Sequence, residues 1–339
     1  MVKIGKYNIE NFGKPFVIAD IAANHMGDLE LAKKMIDKVI ESGCDCVKFQ
    51  SWTKNSLFSK MIYESNKDLE DQIDKFSFNL EEFKILKKYC DEKGIMFSTS
   101  VFSKEEADLF VDELNMPFIK VASMDVTNLP FLEYLAKKGK PIILSVGLAS
   151  MAEIDEAVQL IKKHNVDLIL LYCVALYPPK DEQVHLNNIT LLQEVFDLPV
   201  GYSDHTIGTA ISLASVAKGS CVVEKHFALD NTTSDIWDKD FSADFEQMKI
   251  IVDGSKQIAS ALGKKQIYLD EANINQRNGM RRSIVYTNNL KANHVVTEED
   301  LDLKRPGTGI QPKHLGLVVG RKLSKDVAED TLVSWDAFV

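Results

Sequence analysis

The stretch Leu198-Pro-Val-Gly-Tyr-Ser-Asp-His-Thr206 and the later stretch Cys221-Val-Val-Glu-Lys-His-Phe227 share one layout, an apolar run followed by an acid and a histidine. Such runs are typical of buried parallel strands. His205 and His226 would then stand at the ends of two consecutive strands. Because these ends are neighbours on the catalytic face of a parallel barrel, the two imidazoles can bind one divalent cation. The alternative is two core histidines bonded to backbone carbonyls.

The same pattern recurs upstream, where further apolar runs alternate with helical patterns. The predicted strands are residues 16–22, 46–50, 95–99, 118–122, 141–145, 168–173, 199–202 and 221–224. Eight strands alternating with helices over about 260 residues predict an α/β fold of the (β/α)8 TIM-barrel type.

The regions outside this cycle predict three further features. Residues 2–10 read as a hairpin that could plug the lower end of the barrel, and residues 51–77 as a lid or rim loop. After a barrel domain of residues 1–264, residues 265–281 read as a charged linker. Residues 282–339 change to short strands and turns, typical of a small separate domain.

Composition limits the classes of function. The chain has 339 residues, is 45% hydrophobic and carries a formal net charge of -10. This charge argues against a nucleic-acid or anionic-membrane partner. Without a signal-peptide pattern or an apolar run of about 18 residues, we expect a soluble cytoplasmic protein. The 5 cysteines are scattered, which favours free thiols in a reducing compartment.

Polar side chains gather where the predicted strands end. They are Asp20, Lys48, Gln50, Thr99, Lys120, Ser123, Asp125, Ser145, Tyr177, Ser203, His205, Glu224 and His226. A lysine within an apolar strand is costly unless it meets an anion, so Lys48 and Lys120 predict a phosphate and carboxylate pocket. Alternatively, each lysine pairs with a nearby acid such as Asp20 or Asp125. The residues alone indicate a metal-assisted barrel enzyme acting on a phosphorylated or carboxylated small molecule.

Several motifs in this order resemble those of the sialic acid synthase family, whose members make N-acetylneuraminate, legionaminate and pseudaminate. The motifs are Asn24-His25, Val47-Lys-Phe-Gln50, Phe97-Ser-Thr99, Leu144-Ser145, Tyr177-Pro178, Gly201-Tyr-Ser-Asp-His205, Glu224-Lys-His-Phe227 and Lys304-Arg-Pro-Gly-Thr-Gly309. The resemblance covers nearly the whole chain. Its tail is similar to the antifreeze-protein-like SAF domain, a small β-clip fold.

The resemblance implies a phosphoenolpyruvate-dependent transferase that forms a C–C bond. Phosphoenolpyruvate would condense with an open-chain N-acyl hexosamine, either N-acetylmannosamine or a 2,4-diacetamido-6-deoxy relative. The products would be phosphate and a nonulosonic acid for surface polysaccharide biosynthesis. His205 and His226 would hold a divalent metal. The resemblance favours Mn²⁺, with Mg²⁺ or Co²⁺ as alternatives.

The resemblance also implies roles for individual residues. The implied catalytic residues are Asp20, His205, His226 and Glu224. The implied phosphoenolpyruvate-binding residues are Lys48, Thr99, Lys120, Ser123, Ser145 and Ser203. The implied sugar-binding residues are Gln50, Asp125, Tyr177, Asp238 and Arg305. Because the equivalent of Arg305 comes from the other protomer's SAF domain, the resemblance implies a domain-swapped homodimer.

Some positions depart from the family pattern. Asp20 and Asp125 stand where members commonly have Glu, Ala175 stands where Asn is frequent, and Ile236-Trp-Asp-Lys239 replaces Gly-Pro-Asp-His. A carboxylate displaced by one bond length can change which substrate group is recognised. Two alternatives remain open: a related keto-deoxy-sugar synthase or metal aldolase of different specificity, or a non-catalytic carbohydrate-binding barrel.

Overall fold

The eight predicted strands close into a parallel barrel, in a computed structural model that describes residues 1–230 and 237–339. Ile236 therefore lies outside the described residues. The chain divides into two compact units, Met1–Gly263 and Lys264–Val339. The first is the predicted (β/α)8 barrel, so this fold class is confirmed.

The barrel strands follow an N-terminal hairpin of β1 (Val2–Ile4) and β2 (Tyr7–Ile9). They are β3 (Phe16–Ala22), β4 (Cys46–Gln50), β5 (Met96–Ser100), β6 (Ile119–Val121), β7 (Ile142–Ser145), β8 (Leu168–Cys173), β9 (Val200–Asp204) and β10 (Val222–His226). Each pairs with the next in sequence, and β10 closes the ring on β3.

Helices cover the outside of the barrel. They are α1 (Leu29–Ser42), α2 (Lys54–Leu57), α3 (Lys60–Ser65), α4 (Lys67–Phe76), α5 (Leu80–Lys93), α6 (Lys104–Ala107), α7 (Leu129–Ala136), α8 (Met151–Lys162), α9 (Asn187–Phe196), α10 (Ala210–Ala217) and α11 (Phe245–Leu262). Helix α6 continues as a π-helical segment, Asp108–Glu113. Two of these features were not predicted: α6, and the helical form of the rim 51–77, which contains α2 to α4.

Side chains along each barrel strand point alternately outward and inward, and they form two apolar clusters below the polar carboxyl end. Side chains pointing outward pack against the helices. Side chains pointing inward at the lower end form a second cluster, which includes Phe16, Ile18, Phe118, Ile143, Ile169, Leu171 and Val222. Val2, Ile4 and Ile9 of the hairpin join this inner cluster, so the hairpin seals the lower end as predicted. The inward-facing polar groups of the described strands therefore face a cavity at the carboxyl end of the barrel.

The second unit has its own apolar core. It contains α12 (Glu271–Met280), β11 (Ser283–Tyr286), β12 (Leu301–Lys304) and α13 (Leu315–Val318). Strands β11 and β12 are antiparallel, and Ile284, Tyr286 and Leu323 are buried between the surrounding turns. Helix α12 lies within the segment predicted as a linker. Across the described part of the chain, no helix combines the length and the apolar character needed to cross a bilayer.

The loop after β3 is anchored by a buried amide and a buried imidazole. Asn24 Nδ2 donates to Phe227 O at 2.9 Å, which ties this loop to the end of β10. The ring of His25 stacks on Phe78 with centroids 3.9 Å apart, and its Nδ1 accepts from Gly27 N at 3.1 Å. Burial lowers the pKa of His25 to about 3. The imidazole is therefore neutral in the folded protein at neutral pH.

We predict that His25 makes folding sensitive to acid. Its pKa in the folded state lies below the ordinary value of 6.5, so the unfolded chain takes up the proton first. The stability contribution is complete above pH 6.5 and falls as the pH drops towards 3, by up to about 1.4 kcal/mol per pH unit. In urea unfolding between pH 6.5 and 4, His25→Gln should flatten this slope relative to the wild type. Equal slopes would contradict the prediction.

Candidate active site

A cavity of about 660 Å³ opens at the carboxyl end of the barrel strands. That volume is within the range of small-molecule sites. Most of the predicted site residues line it: Asp20, Lys48, Gln50, Lys120, Ser123, Ser145, Tyr177, Ser203, His205, Glu224, His226 and Asp238. The structure thus brings together predicted residues from seven of the eight strands or the loops that follow them, and Ser100 adds the eighth strand, β5.

Three predicted site residues are not among the lining residues. Ser100 faces the cavity, so the side chain of the preceding residue, Thr99, faces the other side of the strand. The Thr99 hydroxyl donates to the carbonyl of Ser100 at 3.2 Å. Ser100 takes its place in the cavity, so the expectation for the Thr99 side chain is corrected. Asp125 lies on the turn Ser123–Asp125 and accepts from Asn128 Nδ2 at 2.9 Å. Arg305 belongs to the second unit.

Asp20 and Lys48 form a buried ion pair at the base of the cavity. Lys48 Nζ donates to Asp20 Oδ2 at 2.6 Å and to Ser100 Oγ at 3.2 Å, and Gln50 Nε2 donates to the same carboxylate at 3.1 Å. Burial opposes both charges, but each lysine–carboxylate interaction favours them, so the pKa of Asp20 is lowered and that of Lys48 is raised. The alternative expectation that Lys48 pairs with a nearby acid is met for this contact, within the cavity itself.

Lys120 and Glu224 are less completely paired. Lys120 Nζ donates to Ser145 Oγ at 2.8 Å and to Val121 O at 3.2 Å, and it lies 3.7 Å from Glu224 Oε1. Ser203 Oγ donates to Glu224 Oε1 at 2.9 Å, and Glu224 Oε2 is buried with no hydrogen-bond partner in the described part of the chain. Burial lowers the pKa of Lys120. An anion bound here would complete the coordination of the ammonium group.

Glycine is required below Ser203 for steric reasons. A Cβ atom at Gly201 would lie 2.6 Å from Leu171 Cδ2 and 2.6 Å from Val222 Cβ. The small residue lets neighbouring side chains fill the barrel beneath the polar layer. This explains the first position of the motif that runs from Gly201 to His205.

His205 presents one ring nitrogen to the cavity. Its Nδ1 lies 2.9 Å from Val174 O, so Nδ1 carries the hydrogen and Nε2 has the lone pair. Burial, together with the neighbouring His226, lowers the pKa of His205 to about 4. The carbonyl contact expected for a core histidine is present, but it orients a neutral imidazole within the cavity.

His226 is oriented in the same way by an acid. Its Nδ1 lies 3.0 Å from Asp238 Oδ2, and its Nε2 lies 3.6 Å from Asp20 Oδ2. Burial opposes the charged form, but Asp238 and Asp20 raise the pKa of His226. The His205 and His226 ring centroids are 5.5 Å apart, so the two rings converge on one region.

The two histidines offer a donor set suited to an open metal site. A carbonyl or carboxylate at Nδ1 leaves Nε2 for the ion, which is the usual support for a metal-binding imidazole. Within residues 1–230 and 237–339, no cluster of three or more His, Cys, Asp or Glu side chains has metal-binding geometry. The protein would therefore supply two imidazoles, and substrate or water would fill the remaining positions.

A second buried ion pair was missed in the sequence. Asp204 and Lys225 point outward from β9 and β10, behind the two imidazoles, with Lys225 Nζ 3.1 Å from Asp204 Oδ2. Lys225 also donates to Thr206 O, and Thr206 N and Ser212 Oγ donate to Asp204. The pair connects the strand positions next to both histidines. The signal in the sequence was the acid and the lysine directly adjacent to them.

The apolar side of the cavity was also missed. Trp52, Leu57, Leu69, Ile73 and Phe102 line it, as do Trp237 and Phe241. Most of these residues come from the rim, which carries no strand periodicity that would have indicated their direction. Phe241 packs on His226 with ring centroids 4.9 Å apart.

Buried lysines, carboxylates and histidines at the carboxyl end of a parallel barrel define an anion-binding barrel enzyme. The NeuB family profile matches residues 35–267, and the SAF domain profile matches residues 281–339. The chain belongs to the NeuB family, the sialic acid synthase family, and is an enzyme of that family with a C-terminal SAF domain.

Relatives support this membership over the whole chain. N,N'-diacetyllegionaminic acid synthase from Campylobacter jejuni is 36% identical, over 94% of this chain and 99% of its own. N-acetylneuraminate-9-phosphate synthase from Homo sapiens is 35% identical, over 94% and 91%. The crystal structure of N-acetylneuraminic acid synthetase from Leptospira borgpetersenii has a TM-score of 0.75 at 32% identity, covering 82% of this chain and 96% of its own.

We predict that Lys225→Met lowers the free energy of unfolding of the barrel by about 3–5 kcal/mol, because it leaves the Asp204 charge buried without its partner. Adding Asp204→Asn should recover part of this loss, since it removes the uncompensated charge. Lys218→Met, at an exposed lysine, should change stability by less than about 0.5 kcal/mol. The measurement is urea unfolding followed by circular dichroism. A Lys225→Met loss equal to that of Lys218→Met would contradict the prediction.

Proposed function

We propose that the enzyme condenses phosphoenolpyruvate with the open-chain aldehyde of an N-acyl hexosamine, giving a nonulosonic acid and phosphate. The observation that carries the proposal is Lys120, buried at the base of the cavity beside Ser145, with its carboxylate neighbour Glu224 at 3.7 Å, beyond hydrogen-bond distance. Family membership and the names of the relatives support it. We place the reaction in the cytoplasm, where the free cysteines would stay reduced.

Phosphoenolpyruvate is assigned to the base of the cavity. Lys120, Lys48, Ser145, Ser203 and Ser123 would donate to its phosphate and carboxylate oxygens. Its C3 carbon would then face the acceptor's aldehyde carbon. Binding at these buried ammonium and hydroxyl groups positions the nucleophilic carbon and also stabilises the phosphate as it leaves.

The reaction needs one bond-forming step and one hydration step. The C3 carbon of phosphoenolpyruvate attacks the aldehyde carbon, and the aldehyde oxygen takes up a proton. Water adds to C2, and Glu224 accepts one of its two protons through Oε2, which has no hydrogen-bond partner in the described part of the chain. The C2 hydroxyl then becomes the ketone as the C2–O bond to phosphate breaks, and its proton leaves with the phosphate. Glu224 returns its proton to solvent, which balances the proton taken up by the aldehyde oxygen. Asp20 holds Lys48 in place and lies beside His226.

We assign a divalent metal to His205 and His226. We expect Mn²⁺, with Mg²⁺ or Co²⁺ as alternatives. When bound, such an ion supplies Lewis-acid polarisation of the aldehyde oxygen and can orient water. The neutral His205 imidazole fits this role, because a protonated ring cannot bind a metal. Asp238 holds His226 in its binding orientation.

The acceptor sugar is assigned to Gln50, Tyr177 and Asp238, above the metal position. We further propose a domain-swapped homodimer, in which Arg305 of one protomer contacts the acceptor in the barrel of the other. A keto-deoxy-sugar-phosphate synthase is less well supported. A truncated 3-deoxy-D-arabino-heptulosonate 7-phosphate synthase from Thermotoga maritima shares the fold with a TM-score of 0.62, but at only 15% identity.

We predict that phosphate release requires phosphoenolpyruvate, an N-acyl hexosamine and Mn²⁺ together, and that EDTA abolishes it. His205→Ala should lower turnover by at least about 100-fold, because it removes one of the two metal ligands. The same variant should weaken Mn²⁺ binding measured by electron paramagnetic resonance. His164→Ala, outside the cavity, serves as the matched control and should retain both properties. Phosphate release unaffected by EDTA would refute the metal assignment.

We predict that Arg305→Ala raises KM for the acceptor more than KM for phosphoenolpyruvate, whereas Arg282→Ala in the same unit does not. Mixed dimers of Arg305→Ala and His226→Ala protomers should recover activity, because one of their two sites would contain neither defect. Such dimers can be isolated with two different affinity tags. No recovery in verified mixed dimers would count against a site shared between protomers.

A further inference from the structure

The cavity has two chemically different ends. At its base, Lys48, Lys120, Asp20, Glu224 and Ser145 interact over distances between 2.6 and 3.9 Å. Another part of the lining consists of carbon. His226 contacts Asp20 at the base, and through Asp238 it adjoins Trp237, which contacts the carbon-lined part.

The carbon-lined end is one packed cluster, which we call the apolar wall: Trp52, Leu57, Leu69, Ile73 and Phe102. Trp52 is the only member with a polar side-chain atom, and its Nε1 donates to Gln50 Oε1 at 3.1 Å. The side chains of the wall therefore offer no free donor or acceptor to a ligand. A hydroxyl group placed against them would lose its hydrogen bonds to water without replacement.

Trp237 connects the apolar wall to the metal position. Its ring lies 6.0 Å from that of Trp52 and 5.5 Å from that of Phe76, measured between centroids. The next residue, Asp238, bonds His226 Nδ1. An acceptor with its aldehyde at His226 therefore has the tryptophan pair and the wall within reach of its far carbons.

Charge further limits what the far end of the acceptor can be. Of the described lining residues, the cations other than histidine are Lys48 and Lys120, and both lie at the base. Lys54, which begins α2 in the rim, is paired with Asp74 at 3.1 Å. The sequence of residues 231–236 contains neither lysine nor arginine. A second phosphate group would stand against the wall without a countercharge.

We propose that the apolar wall, together with Trp237, selects an N-acyl hexosamine that carries a methyl group at C6, a 6-deoxy acceptor, over 6-hydroxy and 6-phosphate acceptors. This inference rests on the proposed function and names the substrate class of that site. A hydrophobic pocket rejects a substrate that carries an added hydroxyl group by about 100-fold. A dianionic phosphate should be rejected more strongly, because its desolvation is costlier.

The test compares three acceptors under identical phosphoenolpyruvate and Mn²⁺ concentrations. They are 2,4-diacetamido-2,4,6-trideoxymannose, N-acetylmannosamine and N-acetylmannosamine 6-phosphate. We expect kcat/KM to be highest for the 6-deoxy sugar, by about 10-fold or more over the 6-hydroxy sugar, and lowest for the 6-phosphate. A higher kcat/KM for either of the other two would overturn the specificity while leaving the condensation chemistry intact. No phosphate release with any acceptor would overturn the proposed function and this inference together.

A variant of the wall separates its effect from that of the rest of the sugar. Leu69→Asn places an amide in the wall and should reduce the ratio of 6-deoxy to 6-hydroxy kcat/KM by about 10-fold, with KM for phosphoenolpyruvate unchanged. Leu191→Asn, at an exposed leucine of α9 outside the cavity, is the matched control and should leave the ratio unchanged. An unchanged ratio in a folded Leu69→Asn protein would overturn the role of the wall. A preference for the 6-phosphate that Arg305→Ala abolishes would show that Arg305 supplies the missing charge, and would also overturn it.

Discussion

The contact between Lys48 Nζ and Asp20 Oδ2, 2.6 Å long and buried in the barrel, is the interaction on which the rest of the site depends. Two charges removed from water must be matched within the protein. Asp20 meets this need for Lys48 and lies beside His226. Lys120 instead bonds a hydroxyl and a backbone carbonyl, and its carboxylate neighbour Glu224 is 3.7 Å away. Lys48 therefore has a carboxylate within hydrogen-bond distance, and Lys120 does not. An anion bound beside Lys120 would supply the missing countercharge.

The alternation of strand residues places polar groups on both sides of β9 and β10. His205 and His226 lie on the cavity side, and Asp204 and Lys225 lie directly adjacent to them on the helix side. The same two strands thus carry the two imidazoles and an ion pair that links the strands behind them. A strand with period two can do this only if its polar residues occur in adjacent pairs, which is what both motifs contain. Rigid support from behind is needed where ring orientation decides ligand binding.

The barrel and most of the lining residues could be predicted from the sequence, because apolar runs and the polar residues that follow them have a fixed meaning in parallel sheets. Strand ends were less predictable, and β5 shows the consequence. The sequence predicted that Thr99 faces the cavity, but Ser100 does. Adjacent side chains of a strand face opposite sides, so an error of one residue exchanges them. The rim helices α2 to α4 and the wall residues Leu57, Leu69 and Ile73 could not be predicted, because their direction depends on tertiary packing. The orientation of each imidazole likewise depends on partners distant in sequence, such as Val174 for His205.

The hairpin that seals the lower end of the barrel has a consequence for the order of events. In the described part of the chain, Val2, Ile4 and Ile9 pack into the strands' inner cluster and close the lower end, so ligands reach the cavity from the rim. On the proposed assignment, the phosphorylated substrate occupies the floor and the sugar lies above it. The phosphorylated substrate must then bind first, and inorganic phosphate, made at the floor, must leave last. On this assignment, a cavity closed at one end imposes compulsory-order kinetics, and no conformational change is needed for it.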